Sequence, residues 1–165
     1  MNAILVSSPA LVTTPLAIRS LPSPIDATPN HPWGQTWFSL LQAQWTSLVL
    51  VPADPGESTV FAATALADVG RLYQFEPIQV INAGDVASGD LQGVLGTIQQ
   101  FNGSAARLLI AVSSPLTHDA AIPAARAADA AVLIVGMGHS SLANARRTID
   151  CIGASHFIGA VALQP

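Results

Sequence analysis

The chain contains no lysine. Its six basic residues are all arginine (Arg19, Arg71, Arg107, Arg126, Arg146 and Arg147) against ten acidic ones, for a formal net charge of −4. Nucleic-acid binding calls for a basic stripe, and scattered arginines with one adjacent pair do not supply it, so no nucleic-acid partner is expected. Cys151 is the single cysteine, which excludes an intrachain disulfide. It sits at the end of a predicted helix, where a small buried residue is the usual reading and a reactive thiol the rarer one. His31, His118, His139 and His156 show no metal-ligand spacing, and neither a metal nor another cofactor is expected. Every long apolar run is interrupted by a helix breaker, so no direct membrane span is expected.

Charge of either sign is scarce. Only 10% of the residues are charged while 50% are apolar, and soluble domains carry roughly a quarter charged residues. Either the lineage favours small neutral residues, or a partner or second copy covers part of the surface. The apolar N-terminus lacks a basic leading region and is interrupted by Pro9 and Pro15; it does not read as a signal peptide, and a cytoplasmic location is expected.

What is present is an alternation. At 165 residues the chain is long enough for one domain with a substantial core. Residues 1–32, with prolines at 9, 15, 22, 24, 29 and 32, read as a proline-rich arm with a short strand at Ala3–Val6. Residues 33–165 read as a single α/β domain. Trp33, Trp37, Phe38, Leu40, Leu41 and Trp45 recur at helical spacing and predict one helix over Trp33–Trp45. Such tryptophans either pack the helix onto a sheet or face a partner; Trp33, Trp37, Phe38 and Trp45 are the candidate contact residues. Strands are predicted at Ser47–Ala53, Ile78–Ala83, Arg107–Ser113, Ala131–Gly136 and His156–Leu163. Helices are predicted from Ser58 or Thr59 to Tyr73, and over Asp90–Gln100, Leu116–Ala128 and Ser140–Ile152. Buried apolar strands alternating with helices mean a parallel sheet with helices on both faces.

The segment Ser47–Thr59, SLVLVPADPGEST, has the layout of a strand and phosphate-binding loop. Such a loop uses glycines to aim backbone N–H groups at the anion, a lysine for charge, and a Ser or Thr hydroxyl for Mg²⁺. Here one glycine and the Ser58–Thr59 pair remain, and Asp54 and Glu57 stand where carboxylates repel a triphosphate. Asp54, Pro55, Gly56, Glu57, Ser58 and Thr59 are therefore read as a vestigial phosphate loop, with no confident cofactor-binding or catalytic residue among them.

The order and spacing of several segments resemble the bacterial tyrosine kinases of polysaccharide export and the related partitioning ATPases, a P-loop NTPase-like group. Ala53-Asp54-Pro55-Gly56-Glu57-Ser58-Thr59 resembles their A-[ED]-P-G-E-G-K-S-T loop with Gly-Lys deleted. Ala62–Ala67 resembles the A-A-N-L-A helix, and Leu108–Leu116 the I-I-D-T-P-P segment, with Ala111 or Val112 where the Mg²⁺ carboxylate belongs. Ala127–Val135 resembles the A-D-x-V-L-L-V-V strand, and Ser155–Val161 the closing strand. The resemblance covers about residues 33 to 163. It implies a P-loop NTPase-like fold without the lysine, the Mg²⁺ carboxylate, the tyrosine cluster or the oligomerisation signature E-x-x-R-x-x-R. It further implies a catalytically inactive domain serving as an interaction or regulatory component of polysaccharide synthesis and export. The implied partner is a membrane-bound copolymerase or a second copy, placing the chain at most peripherally at the inner membrane. A nucleotide or small-molecule enzyme with an atypical site near Asp54–Thr59 and Gly136–Ser141 is one alternative; an adaptor of a partitioning or secretion system is another. His118 and Asp119 near Ser113 and Ser114 lack the G-x-S-x-G frame of a nucleophile elbow. The glycine-containing turn before Ser140–Ile152 is read as a tight turn capped by Ser140 or Ser141.

Overall fold

A computed structural model describes residues 3–6, 33–73, 76–86 and 90–164. Six strands form one sheet: β1 (Ala3–Val6), β2 (Ser47–Pro52), β3 (Ile78–Ala83), β4 (Arg107–Val112), β5 (Ala130–Gly136) and β6 (Phe157–Leu163), in the order β1-β6-β5-β2-β4-β3. The pairs from β6 through β3 are parallel, and β1 joins the β6 edge antiparallel, with Ala3 opposite Leu163 and Val6 opposite Ala160. The fold is α/β, with a parallel sheet and helices on both faces. The single antiparallel edge strand comes from the proline-rich arm; the rest of that arm, residues 7–32, lies outside the described residues.

The helices are α1 (Gly34–Leu40), α2 (Val60–Tyr73), α3 (Leu91–Phe101), α4 (Ala121–Ala127) and α5 (Leu142–Ile152). Right-handed crossovers assign them to faces. The connection from β2 to β3 passes over β4 in one direction; those from β3 to β4, β4 to β5 and β5 to β6 run the other way. Hence α2, with α1, covers one face, and α3, α4 and α5 the other. The core divides accordingly. Leu48, Leu50, Val132 and Ile134 pack with Trp37, Trp45 and Leu66 on the first face, while Val49, Val51, Ile110 and Ala131 pack with Ile98, Ala124 and Ile152 on the second. The alternation along β2 is the period of a strand buried on both sides.

The helix expected over Trp33–Trp45 stops at Leu40. Trp45 leaves the helical path: its Nε1–H donates to the Leu40 carbonyl at 2.8 Å, and its ring meets Trp37 edge-on at 5.9 Å between centroids. The Leu40 carbonyl at the helix end, which also accepts from the Ala43 N–H at 3.3 Å, thereby gains a second donor, and both rings are buried. Trp33, Trp37 and Trp45 are all buried, so their faces are used by the core. Of the four aromatic contact candidates only Phe38 stays exposed, at 51%, leaning on Tyr73 at 5.1 Å. Gly70 permits the packing of α1 on α2: a Cβ there would lie 2.7 Å from the Trp37 ring and 2.2 Å from Ile78 Cδ1.

Candidate functional site

In an open α/β sheet, ligands bind beyond the carboxyl ends of the strands, where neighbouring connections part in opposite directions. β2 is the strand at which they part, lying between β4 and β5. The loops after β2, β3 and β4 enclose a cleft of about 250 Å³ there. Its polar walls come from Glu57, Ser58 and Thr59 after β2, Asn82 and Asp85 at the end of β3, and Ser113, Ser114, Thr117 and His118 after β4. Among the described residues, neither a lysine nor an arginine lines it.

The loop after β2 begins with Ala53, whose N–H donates to the Ile134 carbonyl at 2.8 Å, extending the pairing with β5. Pro55 and Gly56 turn the chain outward, and Gly56 takes φ +87°, a left-handed conformation that favours glycine. Ser58 is exposed. Thr59 is buried, and its hydroxyl donates to the Val112 carbonyl at 3.0 Å, binding the start of α2 to the end of β4. The hydroxyl that faces Mg²⁺ in a working phosphate loop directly follows the lysine, the place of Ser58 here; that of Thr59 ties a helix start to a strand end. Ala111 and Val112 on β4 are buried and carry no metal-ligating group.

The two carboxylates of the loop reach across to the turn between β5 and α5. Asp54 accepts hydrogen bonds from the Ser141 N–H and the Asn144 side-chain amide. It therefore acts as the cap of α5, a helix whose own N-cap residue Ser141 makes no side-chain cap bond. A carboxylate at that end satisfies open N–H donors and complements the helix dipole. Ser141 thus holds the N-cap position, as expected, while the capping side chain is that of Asp54. Ser140 instead bridges the turn to the loop, its hydroxyl donating to Glu57 Oε1 at 2.7 Å and accepting from the Gly136 N–H at 2.8 Å. A Cβ on Gly136 would fall 2.5 Å from Glu57 Oε1, so the bare glycine makes room for the carboxylate. The other oxygen, Glu57 Oε2, is buried without a hydrogen-bond partner.

The two segments Asp54–Thr59 and Gly136–Ser141, far apart in sequence, are thus brought together, but by bonds to each other. Ser113 donates to the Gly84 carbonyl, and His118 Nδ1 pairs with the Thr117 hydroxyl at 3.0 Å, so neither makes a serine–histidine pair. Among the described residues no group of three or more His, Cys, Asp or Glu could hold a metal ion, and no helix is long and apolar enough to cross a membrane. Sequence reasoning missed Asn82, Asp85, Thr117 and Asn144 as neighbours of the loop, and none carried a signal; Ser140 lay within the segment Gly136–Ser141 already set beside it. No protein-family model matches the chain, and no curated protein matches it.

At the opposite end of the sheet, Asp129 precedes β5. Its carboxylate accepts from the Thr46 N–H (2.8 Å), the Thr46 hydroxyl (2.6 Å) and the Ser47 N–H (2.9 Å). Burial pushes its pKa up, but these hydrogen bonds outweigh it and hold the group below the usual carboxylate range. Asp129 fixes the start of β2 against β5 and lies away from the cleft.

Proposed function

We propose that this chain is a catalytically inactive domain of P-loop kinase-like ancestry that acts by protein interaction, as a regulatory component of polysaccharide synthesis and export. One observation carries the inactive part. The loop that would cradle phosphates is fastened to the β5–α5 turn through Asp54 and Glu57 and to β4 through Thr59, and among the described residues no lysine or arginine lines the cleft beside it. Phosphoryl transfer relies on fixed positive charge and Mg²⁺ to stabilise the transferring group, and the residues present offer carboxylates and hydroxyls in their place. The polysaccharide setting rests on the resemblance of the segments from Ala53 to Val161. A hydroxyl-lined cleft at the switch point also favours a second reading, in which a small uncharged or cationic molecule binds where nucleotide would.

Titration calorimetry with Mg-ATP, together with a phosphate-release assay, tests the first reading. No micromolar binding and no release above a protein-free control are expected. Reinserting Gly-Lys after Glu57 is expected to leave binding absent, because β4 still lacks a carboxylate at Ala111 or Val112. Micromolar ATP binding, or turnover abolished by Ser58→Ala with Thr59→Ala, would overturn the reading.

A further inference from the structure

On the sheet face that carries α3, α4 and α5, strand β6, next to the β1 edge, stays half-exposed. Ala160 and Ala162 are partly open, and Ile158 at the start of the strand is 38% exposed. Between α5 and β5 runs a groove of about 510 Å³ whose walls are Leu133, Val135, Leu142, Ala145, Arg146 and Ile149, with Ser140 and Ser141 at one end. Leu142, the first residue of α5, is 85% exposed, more than any other large apolar side chain among the described residues. The helix does not need a leucine there; an acidic residue would serve its first turn better.

The charges beside the groove are equally unemployed. Of the arginines in the described residues, Arg71 pairs with Asp68 and the Ile78 carbonyl. Arg107 lies 4.7 Å over the Trp45 ring and donates to the Trp45 carbonyl. Arg126 donates to the Ile152 and Cys151 carbonyls. Arg146 and Arg147 are exposed, and among the described residues they form no ion pair, even with Asp150 one turn further on. In a chain of net charge −4, one of these two cations, Arg146, lines the apolar groove, and Arg147 follows it on the exposed side of α5.

We propose that this groove is a docking site for an acidic amphipathic segment of another protein. Apolar side chains of the partner lie between Leu142 and Ile149, and a partner carboxylate meets Arg146, with Arg147 adding to the attraction. The proposal rests on the reading of this chain as an interaction domain, and it names the chemistry of what is bound. Charge complementarity selects the occupant. A second copy meeting the groove about a two-fold axis sets the arginine pair against itself, a like-charge contact that opposes association. A lipid surface is disfavoured because the site is concave and the chain is acidic overall; anionic membranes are held by clusters of roughly four to eight basic residues.

The experiment pans the full chain against a displayed random-peptide library and measures synthetic copies of the enriched sequences by fluorescence anisotropy. Enriched peptides should combine Asp or Glu with apolar residues at helical spacing. Leu142→Ser should weaken their binding roughly tenfold, the loss of one buried leucine contact. Arg146→Glu should weaken it roughly fivefold, with binding restored when the peptide's acidic residue is replaced by lysine. Raising the salt concentration should weaken the wild-type complex. Both substituted side chains are exposed, and unchanged melting curves show that the fold is intact. Enrichment of nothing, or of neutral or basic peptides, overturns the proposal, as does indifference to both substitutions. Competition by a synthetic peptide of residues 7–32 would give the groove to the chain's own arm. Self-association lost in Leu142→Ser would give it to a second copy, and binding to phosphatidylglycerol vesicles without any to acidic peptide would give it to a lipid surface; each of these also overturns the proposal. Mg-ATP binding would sink the inactive-domain reading and leave the groove result standing, so the two failures are distinguishable.

Discussion

Trp37→Ala is the substitution that separates a structural α1 from a contact-making one. The Trp37 side chain is fully buried, edge-on to Trp45 and against Gly70 of α2. Truncating a buried Trp costs about 3–5 kcal/mol through lost transfer energy and the cavity left behind. Its Nε1–H is buried without a hydrogen-bond partner, so the substitution also removes one unsatisfied donor, which places the expected loss near the lower figure, about 3 kcal/mol. For a chain of 165 residues, about 2 cal/mol/K of unfolding entropy per residue converts each kcal/mol into about 3 °C of Tm. Trp37→Ala should therefore lower the melting temperature by about 9 °C. Phe38→Ser, one residue on but exposed, should change stability by about 1 kcal/mol or less. Thermal denaturation followed by circular dichroism measures both. A Tm for Trp37→Ala within about 2 °C of the wild type, a change below 1 kcal/mol on the same conversion, would refute the packing argument and return the tryptophans to the role of contact residues.

Two further predictions concern the ties between loops. Because the folded-state pKa of Asp129 is lowered, its contribution to stability is present above its unfolded pKa of about 3.9 and is lost as pH falls through the folded value. Asp129→Ala should cost about 1–2 kcal/mol at neutral pH, its partners being reachable by water, and urea unfolding should show the difference from wild type vanishing in acid; a difference that persists there contradicts the linkage. Gly136→Ala should displace the Glu57 carboxylate and break its bond to Ser140, at a cost of about 1 kcal/mol. Adding Ser140→Ala to it should then cost less than Ser140→Ala alone, a non-additivity read from a double-mutant cycle; strict additivity would mean that Glu57 stays bonded.

The central strands Ser47–Pro52 and Arg107–Val112 were readable because a strand buried on both faces is a continuous apolar run; the half-open edge strand Ile78–Ala83 is also bounded as its residues predict. The features that escaped were those decided by tertiary contacts. The helical spacing of Trp33 to Trp45 was genuine as far as Leu40; the departure of Trp45 depends on the Leu40 carbonyl and the Trp37 ring, which no local pattern encodes. The helix expected from Leu116 begins at Ala121, because Thr117 and His118 close a turn on the Ser114 carbonyl first. At the candidate site, composition revealed the missing lysine and the intruding carboxylates. Sequence placed those carboxylates against a phosphate; their partners, Ser140, Ser141 and Asn144, lie more than eighty residues away, and only the fold joins them.

Those partners bear on what the loop can still do. An α/β chain offers anions two kinds of place here: the loop after β2, and the N-terminus of α5 with its glycine-containing turn. The second is filled from within, because the Asp54 carboxylate already sits at that end of α5 and holds the Ser141 N–H. The first is lined by Glu57 and Asp85 and, among the described residues, by no lysine or arginine. A single carboxylate about 5 Å from a phosphate charge opposes binding by about 3 kcal/mol at an effective dielectric of 20, which is about two orders of magnitude in affinity. Restoring a lysine alone would have to overcome that repulsion and the loop's own bonds to α5, so one substitution does not lead back to a nucleotide site. The same bonds tie β2, β4, β5 and the start of α5 into one unit. They hold Leu142 and Arg146 at a fixed place on the surface, and a fixed groove binds a partner with less ordering cost than a mobile one. The carboxylates that close the site to triphosphate are therefore also the groups that steady the surface proposed to meet a partner.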